Sequence, residues 1–166
     1  MKITIRPLEE KDAYTSWIWR NDPEVFANTV RRYSGPVTVE DELNWIRTVL
    51  KRTDERRFAI LADNIYIGNV YLTEITNEEG KIGTFIGEKS YWNNGIGTIV
   101  KCLLLDYAFE KEKLDRVISI VRLENIASRK VNEKIGFIEI KKDEELVFYS
   151  ITPNKFRKYS FSTEII

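Results

Sequence analysis

From Ile96 onward the apolar residues Ile96, Val100, Leu103 and Tyr107 recur at helical spacing, and further apolar residues fill the other faces of the same helix. A helix that is apolar all round has no side to give to water, so the rest of the chain must enclose it. The residues before it can supply one wall. Residues 57–62 and 65–75 are strand-like runs joined by Asp63-Asn64, a two-residue hairpin signal. Asn77-Glu78-Glu79-Gly80 then turns the chain into a third run over 82–87, giving an antiparallel meander.

The flanks read in the same way. Ile3 and Ile5 alternate with polar residues in a short strand that Pro7 ends. A helix is expected over 9–19 with Ala13 and Trp17 on one face, and Asn21-Asp22-Pro23 breaks it. A short helix follows over 24–28. Thr38 with Asp41 resembles a capping box and opens a helix to about Leu50. After the buried helix come a β-branched strand over 117–121, a helix over 125–135 stopped by Gly136, and closing strands over 137–141 and 146–151. Leaving out the short 24–28 turn, the order is β-α-α-β-β-β-α-β-α-β-β. This is an α+β arrangement, and a single domain spanning 1–166 is expected.

Composition removes several kinds of chemistry. The chain has 166 residues, no histidine and one cysteine, Cys102. Histidine-based triads, histidine metal sites and internal disulfides are therefore out of reach, and no metal is expected. Lysine plus arginine (26) equals aspartate plus glutamate (26), so no broad positive field points to nucleic acid. No apolar run has the length of a membrane span, the opening residues do not read as a signal peptide, and a soluble cytoplasmic protein is expected. Whether it is a monomer or a homodimer is left open.

Two stretches carry chemistry. In Tyr91-Trp92-Asn93-Asn94-Gly95-Ile96-Gly97-Thr98 the glycines open a helix whose unpaired N–H groups suit a phosphate, and the asparagines tolerate positive φ. Glycine pairs at helix starts are also ordinary turns. In the second, Asn125 is an N-cap, and Ser128, Asn132 and Ile135 share one helix face that runs to Gly136-Phe137.

Together, and in this order, these stretches resemble the GNAT superfamily of acetyl-CoA-dependent N-acetyltransferases. The phosphate-loop window reads Trp92-Asn93-Asn94-Gly95-Ile96-Gly97, and the second hallmark reads Asn125 followed by Glu133-Lys134-Ile135-Gly136-Phe137. Tyr-Trp before the loop is similar to the subgroup that acetylates ribosomal-protein N-termini. Trp-Arg-Asn-Asp-Pro-Glu-Val, starting at Trp19, resembles bacterial enzymes acting on nucleotide-linked amino sugars.

The resemblance implies a mixed, mostly antiparallel sheet with a V-shaped splay between the strand ending in Phe85-Ile86 and the strand at 116–121. It implies that acetyl-CoA lies with its pyrophosphate on Asn94, Gly95, Ile96, Gly97 and Thr98, beside Trp92 and Asn93. The pantetheine arm would follow Phe85, Ile86 and Glu88, with Asn125, Ser128, Lys130 and Asn132 alongside, and the Ile86 N–H would serve the oxyanion. Many members carry a general-acid Tyr where this chain has Asn132, so the proton source is open, with Ser128 or water as candidates. Glu74 is the first candidate base and Glu88 the second. The acceptor would be a small-molecule or peptide amine, either a nucleotide-linked amino sugar or a protein N-terminus, met by Trp19, Arg20 and Asn21. The alternatives are a polyamine such as spermidine, for which Glu9-Glu10 or Glu40-Asp41-Glu42 could supply charge, and a non-catalytic coenzyme A-binding module.

Overall fold

In the computed structural model, which describes residues 1–27, 29–31 and 33–157, the all-round apolar helix lies against a seven-stranded sheet. This helix, α4 (Ile96–Glu110), buries Val100, Cys102, Leu104, Leu105 and Ala108. The sheet runs β1-β2-β3-β4-β5-β7-β6, from β1 (Ile3–Pro7), β2 (Arg56–Ala62), β3 (Ile65–Thr73), β4 (Glu79–Ile86), β5 (Arg116–Arg122), β6 (Ile138–Lys142) and β7 (Leu146–Ile151). Every neighbouring pair is antiparallel except β4 with β5.

Side-chain alternation divides the core between two faces. Phe58, Ile60 and Ala62 of β2 join the large cluster around α4, together with Ile3, Ile5, Val70, Leu72, Val117 and Val121. Ala59 points the other way, into a second cluster with Leu43 and Ile46 of α3 (Val39–Leu50) and Ala13 of α1 (Ala13–Arg20). Helices thus cover both faces of the meander. Among the described residues, no helix is long and apolar enough to cross a membrane.

Local signals placed most boundaries. The capping box at the start of α3 is present in both directions: Asp41 N–H donates to Thr38 Oγ1 (3.1 Å) and Thr38 N–H donates to Asp41 Oδ2 (2.7 Å). Asp63 and Asn64 take φ of 47° and 69°, as a tight hairpin turn requires. α5 (Ile126–Ile135) is capped by Asn125 and ends at Gly136.

The first helical region differs from its expectation. Residues 10–12 form a 3-10 turn because Arg6 grips Asp12 through both carboxylate oxygens (2.7 and 2.8 Å), and the α-helix begins at Ala13. Its buried stripe is Ala13, Ser16 and Trp19 rather than Ala13 and Trp17. The short helix α2 is Pro23–Phe26, and Asn28 lies outside the described residues. The third strand starts at Glu79, so the turn before it spans 74–78. Of the aromatic C-terminal stretch, Phe156 packs on Phe109 (6.0 Å between centroids), whereas 158–166 fall outside the described residues.

Candidate active site

β4 is paired with β3 along Lys81–Ile86, yet it meets β5 only where Glu79–Ile82 face Arg116–Ser119. Beyond Ile82 and Ser119 the two strands diverge, and a cleft of about 800 Å³ occupies the fork. The Gly87 N–H donates to the Ile67 carbonyl on the β3 side (2.8 Å). Alternation then turns the polar groups of Ile86 toward the fork. Phe85 and Ile86 both line it.

The glycine loop closes one end. After a 3-10 turn at Lys89–Tyr91, Asn93 takes φ 62° and Gly95 takes φ 74° as the N-cap of α4. Open space lies where a Cβ of Gly95 or Gly97 would stand, so an anion can approach the backbone. The Thr98 N–H turns back to the Gly95 carbonyl (3.1 Å), which leaves Ile96 and Gly97 to present amides at the helix start. Trp92 has a role that sequence reasoning did not foresee: its Nε1–H donates to the Ile86 carbonyl (2.8 Å), fastening the loop to the end of β4. The residues fit a pyrophosphate followed by an extended, amide-bearing arm.

Across the fork, Asn125 and Ser128 line the cleft, and the Asn125 Oδ1 accepts the Ser128 N–H (3.0 Å). Two expectations on α5 are corrected. Lys130 is exposed and outside the cleft lining. Asn132 shares the face of Ser128, but one turn further along it is fully buried behind the lining. There it accepts from Lys101 Nζ (2.7 Å) and donates to Ser119 Oγ (3.0 Å). Lys101 and Ser119 do reach the cleft, and neither was anticipated. A lone cation on the apolar first turns of α4 was the available signal.

At the far end, the proposed acceptor residues are divided. Trp19 is 5% exposed and packs on Tyr66 (4.8 Å), on Phe85 (6.2 Å) and over Gly87, so it is part of the wall's support and cannot stack on a ligand. Asn21 clamps the chain at Val37, donating to its carbonyl and accepting its N–H (both 2.8 Å). Arg20 alone lines the cleft.

Beside Arg20 stand residues that sequence spacing could not assemble: Arg31, Arg57, Trp45 and Tyr71. The Arg20 and Arg57 guanidinium carbons lie 5.2 and 5.0 Å from the Trp45 ring centroid, and Arg57 lies 4.7 Å from that of Tyr71. Burial lowers the Arg20 pKa, Arg31 and Arg57 push the same way, and Glu42 opposes them. Burial also raises the Tyr71 hydroxyl above its ordinary range.

Of the candidate bases, Glu74 is at the rim, 65% exposed and paired with Lys81 at 2.6 Å. Glu88 is exposed outside the lining and accepts from Ser90 (3.1 Å).

A sheet forked at a parallel strand pair, with a helix start and a glycine loop at the fork, defines a cleft for a long phosphate-bearing co-substrate. Comparison with known proteins agrees. Residues 2–138 match the family model described as an acetyltransferase (GNAT) domain. A probable N-acetyltransferase, YjcK of Bacillus subtilis, is 32% identical over 145 residues, covering 81% of this chain and 80% of its own. A Vibrio cholerae spermidine N-acetyltransferase, solved with coenzyme A and spermine, superposes with TM-score 0.84 at 20% identity over 93% of this chain and 97% of its own. Campylobacter jejuni PseH, solved with acetyl coenzyme A, gives TM-score 0.70 at 18% identity over 91% and 99%. The chain belongs to the GNAT acetyltransferase family and is an acetyl-CoA-dependent N-acetyltransferase.

Proposed function

We propose that the acceptor is a primary amine on a molecule that also carries an anionic group, with a nucleotide-linked amino sugar the best fit. The observation behind this is the set Arg20, Arg57 and Arg31 gathered around Trp45 and Tyr71 at the end of the cleft away from the glycine loop. Guanidiniums supported on aromatic faces suit a phosphate or carboxylate. A polyamine would meet like charge there. Glu9, Glu10, Glu40, Asp41 and Glu42, the acids that could have drawn a polycation, are absent from the cleft lining, Glu42 being buried and paired with Arg20 at 3.7 Å.

On this reading the amides around 94–97 hold the pyrophosphate, and the free edge of β4 at Phe85 and Ile86 pairs with the pantetheine arm as an added strand would. The neutral amine attacks the thioester carbonyl, and the Ile86 N–H, turned into the fork, receives the developing oxyanion. Asn125 fixes the start of α5 against the arm. The proton leaving the amine passes to water at the rim, where Glu74 can take it.

The test has two stages. Acetyl-CoA at about 100 times its dissociation constant adds roughly 2.7 kcal/mol, which raises the melting midpoint by roughly 5–10 °C for a domain of this size. Thiol release is then compared for a nucleotide-linked amino sugar, a peptide with a free N-terminus and spermidine. The amino sugar should turn over fastest and lose rate with added salt. Preferred turnover of spermidine would overturn the acceptor assignment.

A further inference from the structure

We propose that Lys101 is the proton donor of this cleft, its ammonium passing a proton to the coenzyme A sulfur as the thioester breaks; this rests on the acetyl-transfer reading above. Lys101 is 3% exposed, in the middle of the apolar helix α4, yet it forms part of the cleft lining with Ser119 and Ser128. Burying an ammonium is costly, and the partner the structure gives this one is the neutral amide of Asn132. Packing alone would be served better by Leu or Met.

What holds it is Asn132. This side chain donates to Ser119 Oγ (3.0 Å), so its oxygen must face the ammonium, from which it accepts at 2.7 Å. An ammonium has three N–H donors, and among the described residues Asn132 takes one. An amide cannot act as an acid. At the position where the resemblance leads one to expect a tyrosine acid, this chain has a group that instead aims a different acid.

The surroundings suit the task. Asn132 of α5 accepts from the ammonium and is itself held by Ser119 of β5, Ser128 lines the same cleft, and β1 and β3 pack apolar residues against α4. The other charged groups of the cleft are Glu74 with Lys81 at the rim, Glu24 paired with Lys89, and Arg20, Arg31 and Arg57 at the acceptor end, and Asp106 lies further along α4. Burial pulls the Lys101 pKa down to about 8. An ordinary thiol titrates near about 8.5, so the transfer is nearly balanced and Lys101 still carries its proton at neutral pH.

The step closes as follows. The amine lone pair forms the C–N bond, the C–S bond breaks with its electrons going to sulfur, and sulfur takes a proton from Lys101 Nζ. The neutral Lys101 then regains a proton from solvent, while the one lost by the amine leaves through water to Glu74 at the rim.

Lys101→Met keeps the volume and removes the acid. Thiol release from acetyl-CoA is measured against pH with the best acceptor of the panel, or with water as acceptor if none reacts. In the wild type kcat should fall above about pH 8, because the donor must be protonated. Lys101→Met should lower kcat by about 10²–10⁴-fold, abolish that alkaline limb and leave KM for acetyl-CoA within about threefold. Independently of turnover, side-chain ¹⁵N NMR should show one lysine titrating near pH 8, absent from Lys101→Met and shifted when coenzyme A is added. A folded Lys101→Met with kcat within threefold of wild type and the alkaline limb intact would overturn the proposal. Absence of any acetyl-CoA thermal shift in the wild type would instead overturn the reading beneath it.

Discussion

The indole N–H of Trp92 donates to the carbonyl of Ile86 at 2.8 Å, joining the first residue of the glycine loop to the last residue of β4. One bond therefore fixes the distance between the two parts expected to hold the pyrophosphate and the pantetheine arm. Trp92→Phe keeps the ring and deletes the donor. A net loss of about 0.5–1.5 kcal/mol corresponds to a 2- to 13-fold weaker acetyl-CoA dissociation constant, measurable by calorimetry. An unchanged constant would mean that the loop is positioned without this bond.

Arg57 lies over both Trp45 and Tyr71 and pairs with Glu55 at 2.6 Å, and it can be changed without stranding that carboxylate, because Glu55 also pairs with Arg52 (3.1 Å). Arg57→Gln should raise KM for an anionic acceptor by roughly 10- to 150-fold, the equivalent of about 1.5–3 kcal/mol for a charge-assisted contact. Acetyl-CoA binding should stay within twofold. Steady-state kinetics with each substrate varied in turn separates the two.

Lys101 also affects stability. Its folded pKa of about 8 lies below its ordinary 10.5, so between those values the unfolded chain binds more protons than the folded one. Stability therefore rises with pH across that window, by up to about 2 kcal/mol between pH 8 and 9.5. Above about pH 10 the raised pKa values of the half-buried Tyr66 and Tyr71 act in the opposite direction. Urea unfolding at several pH values should show the rise in the wild type and lose it in Lys101→Met.

Trp19 rests directly on Gly87, where an added Cβ would stand 2.0 Å from the indole. Gly87→Ala must push the indole from its place against Tyr66 and Phe85. Overpacking of this kind costs about 1–3 kcal/mol, which should appear as a lower thermal midpoint. Trp19→Ala in the same background should recover part of that clash while creating its own cavity.

Elements set by local rules were legible before any coordinates. The Asp63-Asn64 hairpin, the Thr38 and Asp41 box, the Asn125 cap and the buried α4 all follow from short-range geometry or from a period that repeats within one segment. The glycine loop was legible for the same reason, since its anion-binding capacity resides in consecutive backbone amides. Trp19 was misread because the face of a short helix depends on what covers it, and an exposed stacking ring and a buried supporting ring look the same in sequence. Asn132 was placed on the right face but at the wrong depth, because one helical turn was enough to carry it behind the cleft wall.

The sequence by itself determined the order of elements, the buried helix, the helix start that can meet a phosphate, and the absence of histidine chemistry. Only the tertiary structure decided where β4 leaves β5, that Arg20 and Arg57 share one aromatic platform, and that Lys101 ends against Asn132, which Ser119 holds from the other side. The physical reason is range. Caps, turns and hydrophobic periods are contacts between near neighbours in the chain, whereas the acceptor pocket draws on α1, α3, β2 and β3, and the buried lysine meets Asn132 of α5, which β5 holds through Ser119. Such meetings depend on the register of the sheet and the seating of helices on it, which no single segment specifies.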